Sequence, residues 1–320
     1  MNKKIIVGVD IGGTNVKLGL VSAQGRIACQ TSFSTKGYIR NKKELIRAVI
    51  DKIQSLFDQK YSSSRKIAGI GVGLPGLVNP VKGIVKFLPN IPGWRNVPLA
   101  DIIQQKIKVP VFIENDVNLI ALAEWKFGAG SGVRNMLCMT LGTGVGGGLI
   151  LNNQLYRGEG YVAGEIGHIP IEQNGLPCNC GGWGCLERYV GNRQLQATAA
   201  EVLHEKGITL EDVCARAAQG DPLALKFWDE TAVTIGNALT GIVNVLNPTR
   251  IVIGGGVANA SRFMFKTIEK TIKQRSMHVQ GAMVKIVKAR LGHKAGVMGA
   301  AVLVMDALRH KGVARRQAGL

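Results

Sequence analysis

Aromatic residues make up only 5% of the 320-residue chain, and 21 acidic residues stand against 40 lysines and arginines. So few aromatics leave little with which to stack nucleic-acid bases. The excess of bases gives a formal net charge of +19, compatible with nucleic acid, an anionic small ligand or a solvated basic surface. The basic residues are scattered, and the nearest approach to a block is Arg309-His310-Lys311 with Arg315 and Arg316. No nucleic-acid partner is therefore expected. No run of about 18 apolar residues occurs, so neither a spanning helix nor a membrane partner is expected. Gly8 and Asp10 interrupt the apolar start too soon for a signal peptide, and a cytoplasmic protein is expected. Low-complexity linkers, a Walker A motif and a G-x-G-x-x-G opening a helix are also missing.

What is present is a 46% hydrophobic chain, longer than a single core usually grows, so two domains are expected. Ile5 to Val9, Val16 to Leu20 and Ile27 to Phe33 read as a three-strand meander with turns at Gly12-Gly13 and Gln24-Gly25. Leu45, Ile46, Val49, Ile50, Ile53, Leu56 and Phe57 share one helical face. A strand at 67–72, a Pro/Gly-rich loop at 74–94, a strand at 109–113 and a helix at 117–127 follow. The opening pattern then recurs. Strands at 136–141 and 145–151 flank Gly142-Thr143-Gly144, 130 positions after Gly12-Gly13-Thr14. This reads as a duplicated strand–turn–strand unit, with a chance match as the alternative. An irregular stretch (152–191), helices at 192–206, 210–219 and 222–246, a strand at 250–253, a helix at 261–275, a strand at 284–287 and a closing helix at 295–309 complete an α/β pattern.

Three glycine clusters follow strands: Asp10-Ile11-Gly12-Gly13-Thr14, Leu141-Gly142-Thr143-Gly144 and Gly254-Gly255-Gly256. Glycine admits close backbone approach, successive N–H groups form an anion nest, and a threonine hydroxyl adds a donor. Phosphate binding is the functional reading, plain hairpin turns the alternative. Asp10, at the end of a buried strand, would suit Mg²⁺ or its bound water beside phosphates, or else caps a turn. Glu114-Asn115-Asp116 ends an apolar strand. Asp116 there is either a helix N-cap or a general base that takes a proton from a substrate hydroxyl. His168, Cys178, Cys180 and Cys185 form H-x9-C-x-C-x4-C. Three thiolates and an imidazole make a closed structural zinc set, with free loop thiols as the alternative. Glu165 and Glu187 flank it, as solvated carboxylates or as acceptors for the paired hydroxyls of a polyol.

These motifs, with Leu141-Gly142-Thr143-Gly144-Val145-Gly146-Gly147-Gly148, Gly164-Glu165-Ile166-Gly167-His168 and Cys178-Asn179-Cys180-Gly181-Gly182-Trp183-Gly184-Cys185-Leu186-Glu187, resemble the ROK family (repressor, ORF, kinase) in order and spacing over essentially the whole chain. The resemblance implies an actin-like ATPase (ribonuclease H-like) fold, with two α/β domains around a cleft. Residues 1–117 with 297–320 would form the smaller domain, and 118–296 the larger one with the zinc loop. It implies transfer of the γ-phosphate of ATP, with Mg²⁺, to a hexose hydroxyl, and a homodimer or homotetramer. By matched motif Asp116 resembles the catalytic base. Gly76, Asn90, Asn115, Asp116, Glu165, His168 and Glu187 resemble sugar contacts. Asp10, Gly12, Gly13, Thr14, Lys17, Thr143, Gly144, Gly255 and Gly256 resemble nucleotide contacts. His168 would serve zinc with one ring nitrogen and sugar with the other.

The family also contains repressors, which resemble the kinases with a winged helix-turn-helix ahead of the first phosphate turn; with Asp10 so near the start, no room for one is expected. A non-catalytic sugar-binding module is the other non-enzymatic reading. Glucose is the expected substrate, with N-acetylmannosamine, N-acetylglucosamine, fructose or allose behind it. Inorganic polyphosphate is a further candidate donor, with Lys82 and Lys86 extending its track.

Overall fold

Ile5, Val7, Val9 and Ile11 alternate along strand β1 (Ile5–Ile11) and enter one core, while Ile6 enters another, so both faces of the strand are covered. The computed structural model describes residues 5–38, 41–60, 67–88, 91–260 and 263–317. β1 hairpins into β2 (Asn15–Ser22) and then β3 (Ile27–Ser34), which is the expected meander. Helix α1 (Lys42–Lys60) lays Leu45, Ile46, Val49, Ile50, Ile53 and Leu56 against the sheet. β4 (Ile67–Leu74) pairs parallel to β1. The expected loop after it holds short strands β5 (Leu77–Asn79) and β6 (Ile84–Phe87), which join β7 (Arg95–Val97) in a small antiparallel sheet. Strands of three and four residues are too short to show a period-2 pattern among so many Pro and Gly residues. An unanticipated helix, α2 (Leu99–Ile107), leads to β8 (Val111–Asn115) and α3 (Asp116–Phe127). The main sheet runs β3-β2-β1-β4-β8.

β9 (Met136–Leu141), β10 (Val145–Leu151) and β11 (Gln154–Tyr156) repeat the meander. Helices α4 (Glu187–Val190), α5 (Asn192–Val202), α6 (Leu210–Ala218) and α7 (Pro222–Leu246) follow. Asp221 caps α7 through the N–H groups of Leu223 and Ala224, and Pro222 opens it. β12 (Arg250–Gly254), α8 (Gly256–Ala260), α9 (Met264–Arg275), α10 (His278–Met283), β13 (Lys285–Lys288) and α11 (Ala295–Gln317) end the chain. The helix expected over 261–275 begins at Met264; residues 261 and 262 lie outside the described set. This second sheet runs β11-β10-β9-β12-β13. Both sheets therefore have the same order and strand directions, two antiparallel pairings followed by two parallel ones, with the Gly12-Gly13-Thr14 and Gly142-Thr143-Gly144 turns at equivalent places. The repeat read from two short motifs is a repeat of topology.

The chain divides into two compact units: Met1–Phe127 with Arg157–Val162 and His293–Leu320, and Gly128–Tyr156 with Ala163–Gly292. In the first, α11 lies across the sheet on a row of glycines. Gly19, Gly8 and Gly71 are in register on β2, β1 and β4, and the backbone or side chains of Val297 and Ala300 occupy the places their Cβ atoms would take. Gly299 gives α3 the same close approach through the Leu119 carbonyl. Gly71→Ala would drive a methyl into helix backbone, which cannot rotate away. We expect it to cost about 3 kcal/mol, read as a lowered urea midpoint. A loss under about 1 kcal/mol would show that α11 slides aside. No helix among the described residues is long and apolar enough to cross a membrane.

Candidate active site

The first glycine turn joins β1 to β2. The Gly12 N–H donates to the Asn15 carbonyl at 2.9 Å, and the buried Thr35 hydroxyl donates to the Gly13 carbonyl at 2.8 Å, which leaves Gly13 and Thr14 exposed at the tip. Asp10 lies opposite Lys17 in the hairpin register, and Gly296 packs directly on its carboxylate. Burial raises the Asp10 carboxyl above the usual range, and Lys17 pulls it partly back. The fold thus favours the protonated acid. The favourable contribution of that form is complete below the unfolded pKa and is lost as pH rises through the folded one. A cation beside Asp10 would reverse that preference.

The second turn joins β9 to β10. The Gly142 N–H bonds the Gly144 carbonyl, and the Gly142 carbonyl accepts from the Asn192 N–H, both at 2.9 Å. Thr143 is exposed at the tip. Glu187, from the start of α4, reaches this turn: Oε2 accepts from the Val145 N–H at 2.9 Å and fills the space a side chain at Gly144 would need. Gly255, with φ of +95°, packs against the Leu141 carbonyl, so the third glycine cluster abuts the strand that feeds the second.

The loop Gly164-Glu165-Ile166-Gly167-His168 lies on β10. Gly164 and Gly147 meet backbone to backbone, and Gly167 meets the Val145 carbonyl. That contact fixes where Glu165 and His168 leave the main chain. The His168 Nδ1 is 3.6 Å from the Cys178 Sγ, and the Cys180 and Cys185 sulfurs are 3.7 Å apart. All four ligand atoms lie within 4.8 Å of one another. A tetrahedral zinc with bonds of about 2.3 Å to sulfur and 2.0–2.1 Å to nitrogen sets ligand edges of about 3.5–3.8 Å. The two close pairs already have that spacing, so the donor set fits the ion. The other ring nitrogen, Nε2, is 4.0 Å from Glu165. Desolvation raises the Glu165 carboxyl, His168 opposes the rise, and Glu187 adds to it. Glu165, His168 and Glu187 are thus neighbours.

In the first unit β8 ends on Glu114-Asn115 and α3 begins at Asp116. The helix cap is Asn115: its Oδ1 accepts from the Val117 and Asn118 N–H groups at 2.9 and 3.2 Å. The capping alternative raised for Asp116 therefore belongs one residue earlier, since only a residue still in the strand aims its side chain back over the first turn. Asp116 accepts from the adjacent Val117 N–H at 2.9 Å. The Asn115 amide donates to the carbonyl of Gly76, whose φ of +99° turns it inward, at 3.2 Å. Asn90 lies outside the described residues. Sequence reasoning gave no role to Glu114 or Arg157, whose side chains meet at 2.6 Å. A Glu inside an apolar strand was a signal; a lone Arg in a loop was none.

Two sheets of identical order, each with a glycine–threonine turn after its first strand, define the actin-like ATPase fold. The ROK family model matches residues 6–307, and the chain belongs to the ROK family. It is 36% identical to the glucokinase of Halalkalibacterium halodurans, over 95% of this chain and 96% of that one. It is 31% identical to the xylose repressor of Bacillus subtilis, over 94% of this chain and 77% of the repressor. Among solved structures it resembles the ROK glucokinase of Streptomyces griseus in complex with glucose and AMPPNP, with a TM-score of 0.74 and 34% identity over 93% of this chain and 98% of that one.

Proposed function

We propose that the protein is an ATP-dependent hexose kinase acting on glucose at O6. The observation that carries this is Asp116, at the carboxyl end of parallel strand β8, the position at which open α/β sheets bind ligands. Asp116 accepts the proton as O6 attacks the γ-phosphorus of ATP, and ADP leaves with the electrons of the broken P–O bond. Asn115, Gly76, Asn90, Glu165, His168 and Glu187 hold the sugar hydroxyls. The turns at Gly12-Gly13-Thr14 and Thr143-Gly144, with Lys17, Gly255 and Gly256, cradle the nucleotide, and Asp10 would hold the accompanying Mg²⁺ or its bound water. We read the reaction as cytoplasmic, where ATP is at hand.

His168 Nδ1, Cys178, Cys180 and Cys185 would hold a structural zinc, which supplies rigidity and leaves no open coordination position. His168 can then present only Nε2 to a sugar hydroxyl, with its ring plane fixed.

The test is ADP release from ATP and Mg²⁺ over a panel of glucose, mannose, fructose, allose, xylose, N-acetylmannosamine and N-acetylglucosamine. Glucose should have the highest kcat/KM. Preference for an N-acetylhexosamine would reassign the substrate, and no turnover with any sugar would overturn the kinase reading. Polyphosphate in place of ATP gives the donor.

A further inference from the structure

The Glu114 side chain is 1% exposed and is bonded on both oxygens. Oε1 accepts from the Asn115 N–H at 3.0 Å and from the Asn118 amide at 3.1 Å, and Oε2 accepts from Arg157 Nε at 2.6 Å. A carboxylate so deeply buried persists only when paired and fully hydrogen-bonded. Here its partners are the backbone and first helical turn that carry Asn115 and Asp116. The third partner, Arg157, comes from elsewhere in sequence. Arg157 opens the segment 157–162, which belongs to the first unit although Tyr156 and Ala163 on either side of it belong to the second. The ion pair therefore joins the β8–α3 corner to this excursion of chain.

We propose that Arg157 is a positioning residue: through Glu114 it fixes the corner that aims Asp116, and it pins segment 157–162 to the first unit. This rests on the reading of Asp116 as the base. An arginine suits the task because its planar Nε–H has a fixed direction, whereas a lysine supplies the charge without the direction. A pair serving only to neutralise a buried carboxylate would need no such direction, and the two roles separate by experiment.

Wild type, Arg157→Met, Arg157→Lys and the double variant Glu114→Gln/Arg157→Met are compared for kcat, glucose KM, melting temperature and cleavage by a glutamate-specific protease at the exposed Glu159. Arg157→Met should lower kcat by about 10²-fold, the loss expected from misaimed reacting groups. It should speed cleavage after Glu159 by about tenfold or more, with cleavage after the exposed Glu211 unchanged. The double variant leaves no unpaired charge, so its melting temperature should recover while kcat stays low and Glu159 stays labile. Arg157→Lys should likewise recover stability without kcat. Recovery of kcat together with stability in either variant overturns the positioning role, and unchanged cleavage at Glu159 overturns the pinning. A wild type with no sugar-dependent turnover overturns the kinase reading and with it the catalytic half of this proposal. Normal turnover by Arg157→Met overturns the proposal alone.

Discussion

Asp116→Asn should lower kcat by about 10²-fold or more while the protein folds and binds sugar much as before. The substitution removes the proton acceptor and keeps the shape. Its effect on folding should be small for a reason visible in the structure. The start of α3 is capped by Asn115, through Val117 and Asn118, and the bond from the Val117 N–H to Asp116 Oδ1 can be kept by an amide oxygen. Asn115→Ala is the contrasting change. It removes the cap, for about 1 kcal/mol of stability, and also releases the Gly76 carbonyl. Steady-state kinetics with ATP and glucose, beside sugar binding by calorimetry, separate the two. An Asp116→Asn variant turning over near the wild-type kcat would remove Asp116 from the role of base.

Purified protein should carry about one zinc per chain, and Cys180→Ala should lose it. The expected consequence reaches beyond the metal loop. His168 would ligate through Nδ1, its Nε2 lies 4.0 Å from Glu165, and Cys185 is two residues from Glu187, whose carboxylate is bonded to the N–H of Val145. Loss of the ion frees the histidine ring and loosens the approach to Glu187. The glucose KM should rise by about tenfold or more, the scale on which supporting interactions of a metal site act. Elemental analysis beside kinetics of the same preparation checks it, and fully active protein without zinc would reject the assignment.

The parts of the site that were legible in the sequence are those built from neighbours in the chain. The four candidate metal ligands fall between His168 and Cys185, so spacing alone could bring the donors together, and in the structure the donor atoms lie within 4.8 Å of one another. The glycine turns are likewise local, and their recurrence at the same offset proved to be a repeat of sheet order. Long periodic helices were also plain: the expected span of 222–246 is that of α7. Less was visible where elements are short. β5 and β6 hide in a Pro/Gly-rich stretch, and α4 in an irregular one, because three or four residues carry no readable period.

The sequence by itself determined which chemical groups are present and which of them are grouped locally: the metal donors, the phosphate-type turns and the carboxylate at the end of β8. The tertiary structure alone decided what supports them. Glu114 meets Arg157 across 43 positions, and Gly8, Gly19 and Gly71 become one bed for α11 only when three strands align in register. The choice between Asn115 and Asp116 as helix cap turned on the residue at which β8 stops and α3 starts. Each of these depends on where distant backbone lies within an ångström or so. Pattern and composition specify residue type and period, whereas such alignment arises only when the whole core packs.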